Sequence, residues 1–149
     1  MPDRAAIVTG ASRGIGRALA ETLAGEGLAL TLTARKPEGL EIVARQLREN
    51  GFEVDSLAAN MADPEAIGRV VALHRERFGR LDVLVNNAGV GIGAAAHEHQ
   101  TKFIDMQLDV NLRAIIVAYR ECVELLRASG AEHHNALVVN MASLAGKSP

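Results

Sequence analysis

The sequence predicts an α/β protein whose strands form a doubly wound parallel sheet. Short apolar runs alternate with helical stretches, and a glycine-rich turn joins the first run to the first helix. Parallel neighbouring strands need a crossover, usually a helix, and right-handed crossovers place helices on both faces of the sheet. The 149 residues suit one domain, and no linker or low-complexity segment divides them.

The elements of the first half follow from apolar runs and from helix start and stop signals. Ile15, Leu19 and Leu23 recur four residues apart, which predicts one buried face for the first helix. Pro37 suits the first turn of a helix, and Gly51 ends it. The predicted elements are a strand over Ala5–Thr9, a helix over Gly14–Glu26, a strand over Ala29–Thr33, a helix from Pro37 to about Asn50 and a strand over Glu53–Ala58.

The second half continues the alternation and ends with an unusual helix. Asp63-Pro64 is typical of a helix cap followed by the first helical residue. Between Phe103 and Leu126 apolar residues cover more than one stripe, so we expect burial on two sides, by a subunit contact or a missing part of the fold. The predicted elements are a helix from Asp63-Pro64 to about Arg77, a strand over Leu81–Val85, a loop at Gly89, Gly91 and Gly93, a helix from about Thr101 to Ala128 and a strand over Ala136–Asn140.

Composition narrows the functional classes. The net charge is -2 without blocks of like charge, and aromatic residues make up 3%, so we expect neither nucleic acid nor a membrane as partner. No apolar run approaches the roughly 20 residues of a membrane span, and the N-terminus lacks the apolar stretch of a signal peptide. Cys122 is the only cysteine, which excludes an internal disulfide and fits a reducing compartment. We therefore expect a cytoplasmic protein.

The glycine-rich turn Thr9–Gly16, TGASRGIG, lies between the first strand and the first helix. Its spacing differs from the ordinary GxGxxG fingerprint, but the physical logic is similar. Gly10 permits a tight turn, while Gly14 and Gly16 let the helix start close to the strand and to a ligand. Free N–H groups at the helix N-terminus can then bind a pyrophosphate. A turn without a ligand is the alternative, which the position after the first strand disfavours.

The end of the second predicted strand indicates the choice of cofactor. An NAD site usually has a carboxylate here, whereas this chain has Arg35 and Lys36 and no acid until Glu38. A carboxylate would repel a 2′-phosphate, and the planar Arg35 guanidinium suits phosphate oxygens. Arg13, in the glycine turn, can approach the same region. We therefore expect NADP(H) in preference to NAD(H); solvated surface cations are the alternative.

With these residues the chain resembles the short-chain dehydrogenase/reductase (SDR) family over its whole length. Four signatures occur in order: TGASRGIG at Thr9–Gly16, NNAG at Asn86–Gly89, Asn111 in the long helix, and VNMASLAG, which holds Ser143. The first ninety residues look closest to the 3-oxoacyl-carrier-protein reductase branch. The resemblance implies a Rossmann fold, of which we expect five strands here and the C-terminal part missing.

The resemblance also implies roles for individual residues. The residues implied to contact cofactor are Gly10, Ser12, Arg13, Gly14, Ile15 and Gly16 at the pyrophosphate and ribose, Arg35 at the 2′-phosphate, Asn60 and Met61 at the adenine, and Asn87 at the cofactor ribose. Many members carry Asp where Asn60 stands, but an Asn oxygen is still an acceptor. Asn111 would hold a water in a proton relay, and Ser143 would bind the substrate oxygen. A polar residue at a helix bend and a loop serine are the respective alternatives.

The family places its catalytic Tyr and Lys in a YxxxK motif beyond the serine, and this chain ends at Pro149 before that point. Tyr119, the only tyrosine, lacks the motif, and we interpret it as a packing residue. We expect residues 1–149 to be the dinucleotide-binding front portion of an oxidoreductase that transfers hydride between NADPH and a ketone or alcohol, inactive alone. The alternative is a non-catalytic dinucleotide-binding protein that functions in its short form.

Three further expectations concern partners and metals. The substrate is a small carbonyl or alcohol compound, and a homo-oligomer forms through the helix at residues 101–128. The histidines at His97, His99 and His133-His134 show no metal-ligand signature, so we expect no metal site. Cys122 is expected to be a small buried apolar residue without a catalytic role.

Overall fold

Five parallel strands form the sheet in the computed structural model, which describes residues 2–147. The strands are β1 (Ala5–Thr9), β2 (Ala29–Ala34), β3 (Val54–Ala58), β4 (Val83–Asn86) and β5 (Leu137–Asn140), in the order β3-β2-β1-β4-β5. The chain winds outward from β1 in one direction and from β4 in the other. The predicted doubly wound parallel sheet is therefore confirmed, with the reversal of strand order between β1 and β4.

Helices cover both faces of this sheet. They are α1 (Gly14–Gly25), α2 (Pro37–Glu49), α3 (Pro64–Phe78), α4 (Thr101–Leu108) and α5 (Ala114–His133). Helices α1 and α2 pack on the face of Ala6 and Val8, and α3 and α5 pack on the face of Ile7 and Leu84. The central strands are buried on both sides, which explains their continuous apolar sequences. Within residues 2–147, none of these helices combines the length and apolar character that a membrane crossing requires.

Strand β4 begins two residues later than the predicted Leu81. The Leu81 N–H donates to Ser129 Oγ at 3.1 Å, so this residue bonds to α5 instead of joining a strand ladder. The other predicted boundaries lie within one or two residues of the observed ones, apart from the long helix. Local start and stop signals explain this agreement, since Asp63 accepts a hydrogen bond from the Glu65 N–H and Gly79 ends α3 with a φ of 68°.

Helix α1 is rotated relative to the predicted face. Gly16, Ala20 and Ala24 are buried against the sheet, and the predicted Leu19 and Leu23 are partly buried against the same core. Ile15, the third predicted residue, is 59% exposed. A Cβ atom on Gly16 would overlap the carbonyl oxygen of Gly10, so only small residues allow the helix this close to the strands. The need for α1 to lie close to the strands, rather than the size of its apolar side chains, therefore decides which face of the helix is buried.

The long helix is interrupted. A π-helical segment, Asp109–Arg113, separates α4 from α5, and α5 continues to His133, five residues past the predicted end at Ala128. Burial on two sides is not seen within this chain, because Val117 and Cys122 are buried while Ile116 is 60% exposed. Tyr119 is 49% exposed, so it does not pack in the core of the described residues. Buried Cys122 agrees with its expected role.

A polar cluster at the sheet's amino-terminal edge links three elements. The Asp82 carboxylate is 2% exposed and accepts two hydrogen bonds from Arg80 at 2.9 Å and one from the Ala5 N–H at 2.8 Å. Burial raises the pKa of Asp82, but the bonds from Arg80 and Ala5 outweigh it and the net pKa lies below the ordinary value. The charged pair therefore fixes the start of β1 beside the start of β4.

A buried histidine joins α3 to the sheet. His74 Nδ1 lies 2.7 Å from Thr31 Oγ1, and Nε2 lies 2.8 Å from the Arg80 carbonyl oxygen. The Arg80 carbonyl oxygen can only accept a hydrogen bond, so Nε2 carries the ring hydrogen. In the neutral ring Nδ1 therefore accepts from the Thr31 hydroxyl. Burial lowers the pKa of His74 from 6.5 to about 4. The folded protein therefore keeps this ring uncharged near neutral pH.

We expect acid to destabilise the protein through His74. The unfolded chain takes up this proton near pH 6.5 and the folded chain only near pH 4, so stability is complete above 6.5 and falls toward 4. The loss is about 3 kcal/mol across that window. Urea unfolding at pH 7.5, 6 and 4.5 would measure it. Asp82 does not contribute there, because its pKa is lowered from 3.8 and its stabilisation is lost only below that range.

His74→Gln supplies the control, since its amide can donate to Arg80 and accept from Thr31 without titrating. The variant should lose less stability between pH 7.5 and 4.5 than the unmutated protein. An equal loss in both proteins would contradict the assignment to His74.

Candidate cofactor-binding site

A cavity of about 1030 Å³ opens at the carboxyl ends of the strands. The β1–α1 turn, the β2–α2 connection and the loop after β3 contribute to its walls, together with the loop after β4, α4 and the π-helical segment. This is the location where open α/β sheets bind ligands, outside the strand ends where the strand order reverses.

The glycine turn shapes one wall, and its three glycines serve different purposes. Gly10 has a φ of 65°, and a Cβ there would lie 2.9 Å from both Ala88 Cα and Asn87 Nδ2. Gly14 has a φ of 56° and open space beyond it, while Gly16 lies beneath the turn and has no room for a Cβ. Arg13 precedes α1 without a side-chain cap, so the first N–H groups of the helix stay available to an anion.

Hydrogen bonds fasten this turn to the loop after β4, and we call these contacts the Thr9–Asn87 cluster. Thr9 Oγ1 accepts from the N–H groups of Asn87 at 3.0 Å and Ala88 at 2.9 Å. Asn87 Nδ2 donates to the carbonyl oxygens of Thr9 at 3.0 Å and Gly10 at 3.2 Å. Side chains thus hold together two loops that are nearly eighty residues apart in the sequence.

Three cations line the cavity near the end of β2. Arg13 comes from the glycine turn, and Arg35 and Lys36 follow β2, so the two predicted segments do meet at one cavity. Glu38 also lines the cavity, in the first turn of α2, where a carboxylate stabilises the helix dipole. The cations outnumber the acid at this end, which therefore favours an anionic ligand.

The loop after β3 forms another wall. Asn60 Oδ1 accepts a hydrogen bond from the Ala62 N–H at 3.0 Å, which closes a tight turn, and Met61 is largely buried. Met106 and Val110 line the same cavity from α4 and the π-helical segment. Apolar side chains from two separate elements thus border this end of the cavity.

Nine of the ten residues predicted to contact cofactor line the cavity, and Gly16 supports it from beneath. Asn111 and Ser143 are not among the lining residues. Asn111 binds the backbone of Val90, with Oδ1 accepting from its N–H at 2.9 Å and Nδ2 donating to its carbonyl at 2.8 Å. Ser143 Oγ accepts from the Ala145 N–H at 3.2 Å and caps a short 3₁₀ turn.

Sequence reasoning missed the contribution of α4 and the π-helical segment. Lys102, Asp105 and Asp109 line the cavity, together with Met106 and Val110. The sequence signal for this contribution is indirect. The glycines after the fourth predicted strand place a loop at the carboxyl edge of the sheet, so the helix that follows the loop starts near the cavity. Thr9 was also missed as a structural residue, although a polar residue at the end of a buried strand often has a specific partner.

Other reactive side chains do not form a second centre in the described part of the chain. Residues 2–147 contain no group of three His, Cys, Asp or Glu side chains placed to hold a metal ion. Burial raises the pKa of the Cys122 thiol to about 12, so the thiol stays protonated and is a poor nucleophile.

Comparison with known proteins gives a consistent result. The family model described as short chain dehydrogenase matches residues 4–149. A putative ketoacyl reductase of Streptomyces coelicolor is 39% identical over 144 residues, covering 95% of this chain and 54% of the relative. A metagenomic short-chain oxidoreductase in complex with NADP superposes with a TM-score of 0.87 at 37% identity, covering 100% of this chain and 66% of that one.

A short chain dehydrogenase/reductase from Burkholderia phymatum in complex with NAD superposes with a TM-score of 0.91 at 30% identity, covering 98% of this chain and 51% of that one. The chain thus spans about half to two thirds of the length of these proteins. The similarity covers the glycine turn, the Thr9–Asn87 cluster and the whole sheet, because the family match runs from residue 4 to residue 149. This chain belongs to the short chain dehydrogenase family, a family of Rossmann-fold oxidoreductases.

Proposed function

We propose that this chain forms the NADP(H)-binding portion of an SDR-type oxidoreductase that transfers hydride between NADPH and a ketone or alcohol. The observation that carries the proposal is the cationic end of the cavity. Arg13, Arg35 and Lys36 line it where β2 ends. A carboxylate that would accept hydrogen bonds from the ribose hydroxyls is absent from the end of β2. These cations suit the extra phosphate of NADP(H).

The rest of the cavity fits a dinucleotide. The uncapped start of α1 and the open space at Gly14 suit a pyrophosphate, since backbone N–H groups can approach it without side chains between. Asn87 borders the cavity from the loop after β4. When bound, NADPH would supply the hydride, and the residues of this chain would bind and orient it.

Two residues are proposed to act on the substrate side by similarity to the family. Ser143 lies shortly after β5, on the same edge of the sheet as the cavity, and would hydrogen-bond the substrate oxygen. Asn111 would hold a water for proton relay from the π-helical segment, where it already fixes Val90, a cavity residue. A small carbonyl or alcohol compound is the proposed substrate class, in line with the ketoacyl reductase name of the Streptomyces coelicolor relative.

We also propose a homo-oligomer that forms through α4, the π-helical segment and α5. Leu108, Leu112, Ile116 and Tyr119 are each between 49% and 60% exposed and recur every three or four residues along one face. Such a contiguous apolar stripe favours association between chains. The cytoplasm is the proposed location, since the lone buried Cys122 suits a reducing compartment.

Cofactor preference tests the role of Arg35. The unmutated protein should bind NADPH more tightly than NADH, and Arg35→Asp should lower the NADPH affinity by about tenfold or more and erase or reverse the preference. Calorimetric titration of both cofactors measures this. Arg45→Asp makes the same charge change on α2 away from the cavity lining and should keep the preference. Equal affinities in the unmutated protein would contradict the proposal.

Catalytic competence tests the expected inactivity of this polypeptide. The 149-residue chain should oxidise NADPH no faster than background with a panel of ketones, because Tyr119, its only tyrosine, lies outside the cavity lining. Absorbance at the reduced-nicotinamide band gives the rate. Turnover that disappears in Tyr119→Phe would show that Tyr119 is the proton donor and that its assignment here is wrong.

Association state tests the apolar stripe. At micromolar concentration the protein should elute as an oligomer or aggregate, and Leu112→Glu or Ile116→Glu should lower the mass by placing a charge in the contact. Size-exclusion chromatography with light scattering measures the mass. Ile42→Glu, at an exposed position on α2, is the matched control and should leave the mass unchanged. A monodisperse monomer with a cooperative thermal transition would contradict the prediction.

A further inference from the structure

Arg113 connects two walls of the cavity without lining it. Its guanidinium donates to the Ala62 carbonyl oxygen at 2.7 Å, in the loop after β3. It also forms an ion pair with Asp109 Oδ1 at 2.9 Å, one turn earlier in the π-helical segment. Ala62 and Asp109 both line the cavity. Ala62 and Arg113 are 51 residues apart in the sequence, so this bridge is a tertiary contact.

The order of strands indicates which part of a dinucleotide these walls face. The pyrophosphate site lies at the end of β1, and the cations lie at the end of its neighbour β2. The loop that carries Asn60 and Ala62 follows β3, one strand further out in the same direction. A ligand that extends from β1 across β2 therefore presents its terminal base to this loop and to the π-helical segment.

The bridge also joins a cavity residue, Asp109, to the loop after β3. Asp109 and Asp105 both line the cavity. The Arg113 guanidinium neutralises Asp109 at 2.9 Å while its second nitrogen holds the loop after β3. One side chain thus sets the position of a wall and compensates a charge in it.

We infer that Arg113 is a positioning residue for the base end of the nucleotide, holding the loop around Ala62 against the π-helical segment. The inference rests on the proposed NADP(H) site and adds a residue outside the cavity lining to it. Arg113 does not contact the ligand; it fixes the distance between the two surfaces between which the base lies.

A purely structural role for Arg113 is disfavoured by its surroundings. Its side chain is 50% exposed, and exposed ion pairs one turn apart on a helix contribute little to stability. The loop after β3 and the π-helical segment are also held by the apolar core, which includes Met61 of the loop and Val110 of the segment. Loss of Arg113 should therefore loosen the cavity wall and leave the fold intact.

Binding of two probes to Arg113→Gln tests the inference. The probes are 2′,5′-ADP, which carries the base, and inorganic pyrophosphate, which lacks it. The variant should bind 2′,5′-ADP about five- to tenfold more weakly, because the wall is no longer preorganised, and should bind pyrophosphate with less than about a twofold change, since a distant surface charge is screened. Isothermal titration calorimetry measures both, and thermal unfolding verifies that the variant is folded.

Two further variants sharpen the test. Arg113→Lys keeps a cation that can reach one of the two partners, and it should recover part of the 2′,5′-ADP affinity. Arg127→Gln removes a similar ion pair, to Glu124 at 3.0 Å on α5, and should leave both affinities unchanged.

The outcomes separate this inference from the proposed function. Equal weakening of both probes in Arg113→Gln, or the same weakening in Arg127→Gln, would indicate a general charge effect and overturn the inference. Unchanged 2′,5′-ADP binding in a folded Arg113→Gln protein would overturn it while the NADP(H) site stands. An unmutated protein that binds neither NADPH nor 2′,5′-ADP would overturn both.

Discussion

The close approach of the glycine turn to the loop after β4 is the contact on which the rest of the site depends. Gly16 has no space for a Cβ beside the Gly10 carbonyl, and Asn87 donates to that same carbonyl and to Thr9. A larger residue at either glycine would push α1 away from the sheet and remove its N-terminal N–H groups from the cavity. The position of the proposed anion site therefore depends on two glycines that lack a Cβ and on a few hydrogen bonds between distant loops.

The two edges of the sheet have different roles, one in packing and the other at the cavity. At the amino-terminal edge, buried Asp82 pairs with partly buried Arg80 and fixes β1 beside β4, and His74 stays neutral among backbone and hydroxyl partners. At the carboxyl edge, polar backbone and cationic side chains remain accessible around an open cavity. Rigid packing at one edge lets the opposite edge carry loops whose groups are free to bind a ligand.

The π-helical segment links the cavity to the outer surface of the molecule. Its altered winding places Val110 in the core, directs Asn111 to the backbone of Val90 and brings Arg113 to the loop after β3. π-helical turns are uncommon and often occur at functional sites. The same stretch of chain continues into the exposed apolar stripe, so a partner on that stripe would lie one helix away from the cavity.

The sequence by itself determined the order of strands and helices, the glycine turn and the cations after β2, because apolar periodicity, caps and turn residues are local signals. The face that α1 buries was decided by tertiary structure: the sheet admits only small residues at that distance, so Ile15 points outward despite its size. The break in the long helix, the late start of β4 and the Arg113 bridge to Ala62 likewise depend on partners far away in the chain. Periodicity within one segment cannot specify such contacts, since both partners acquire their positions only when the sheet has formed.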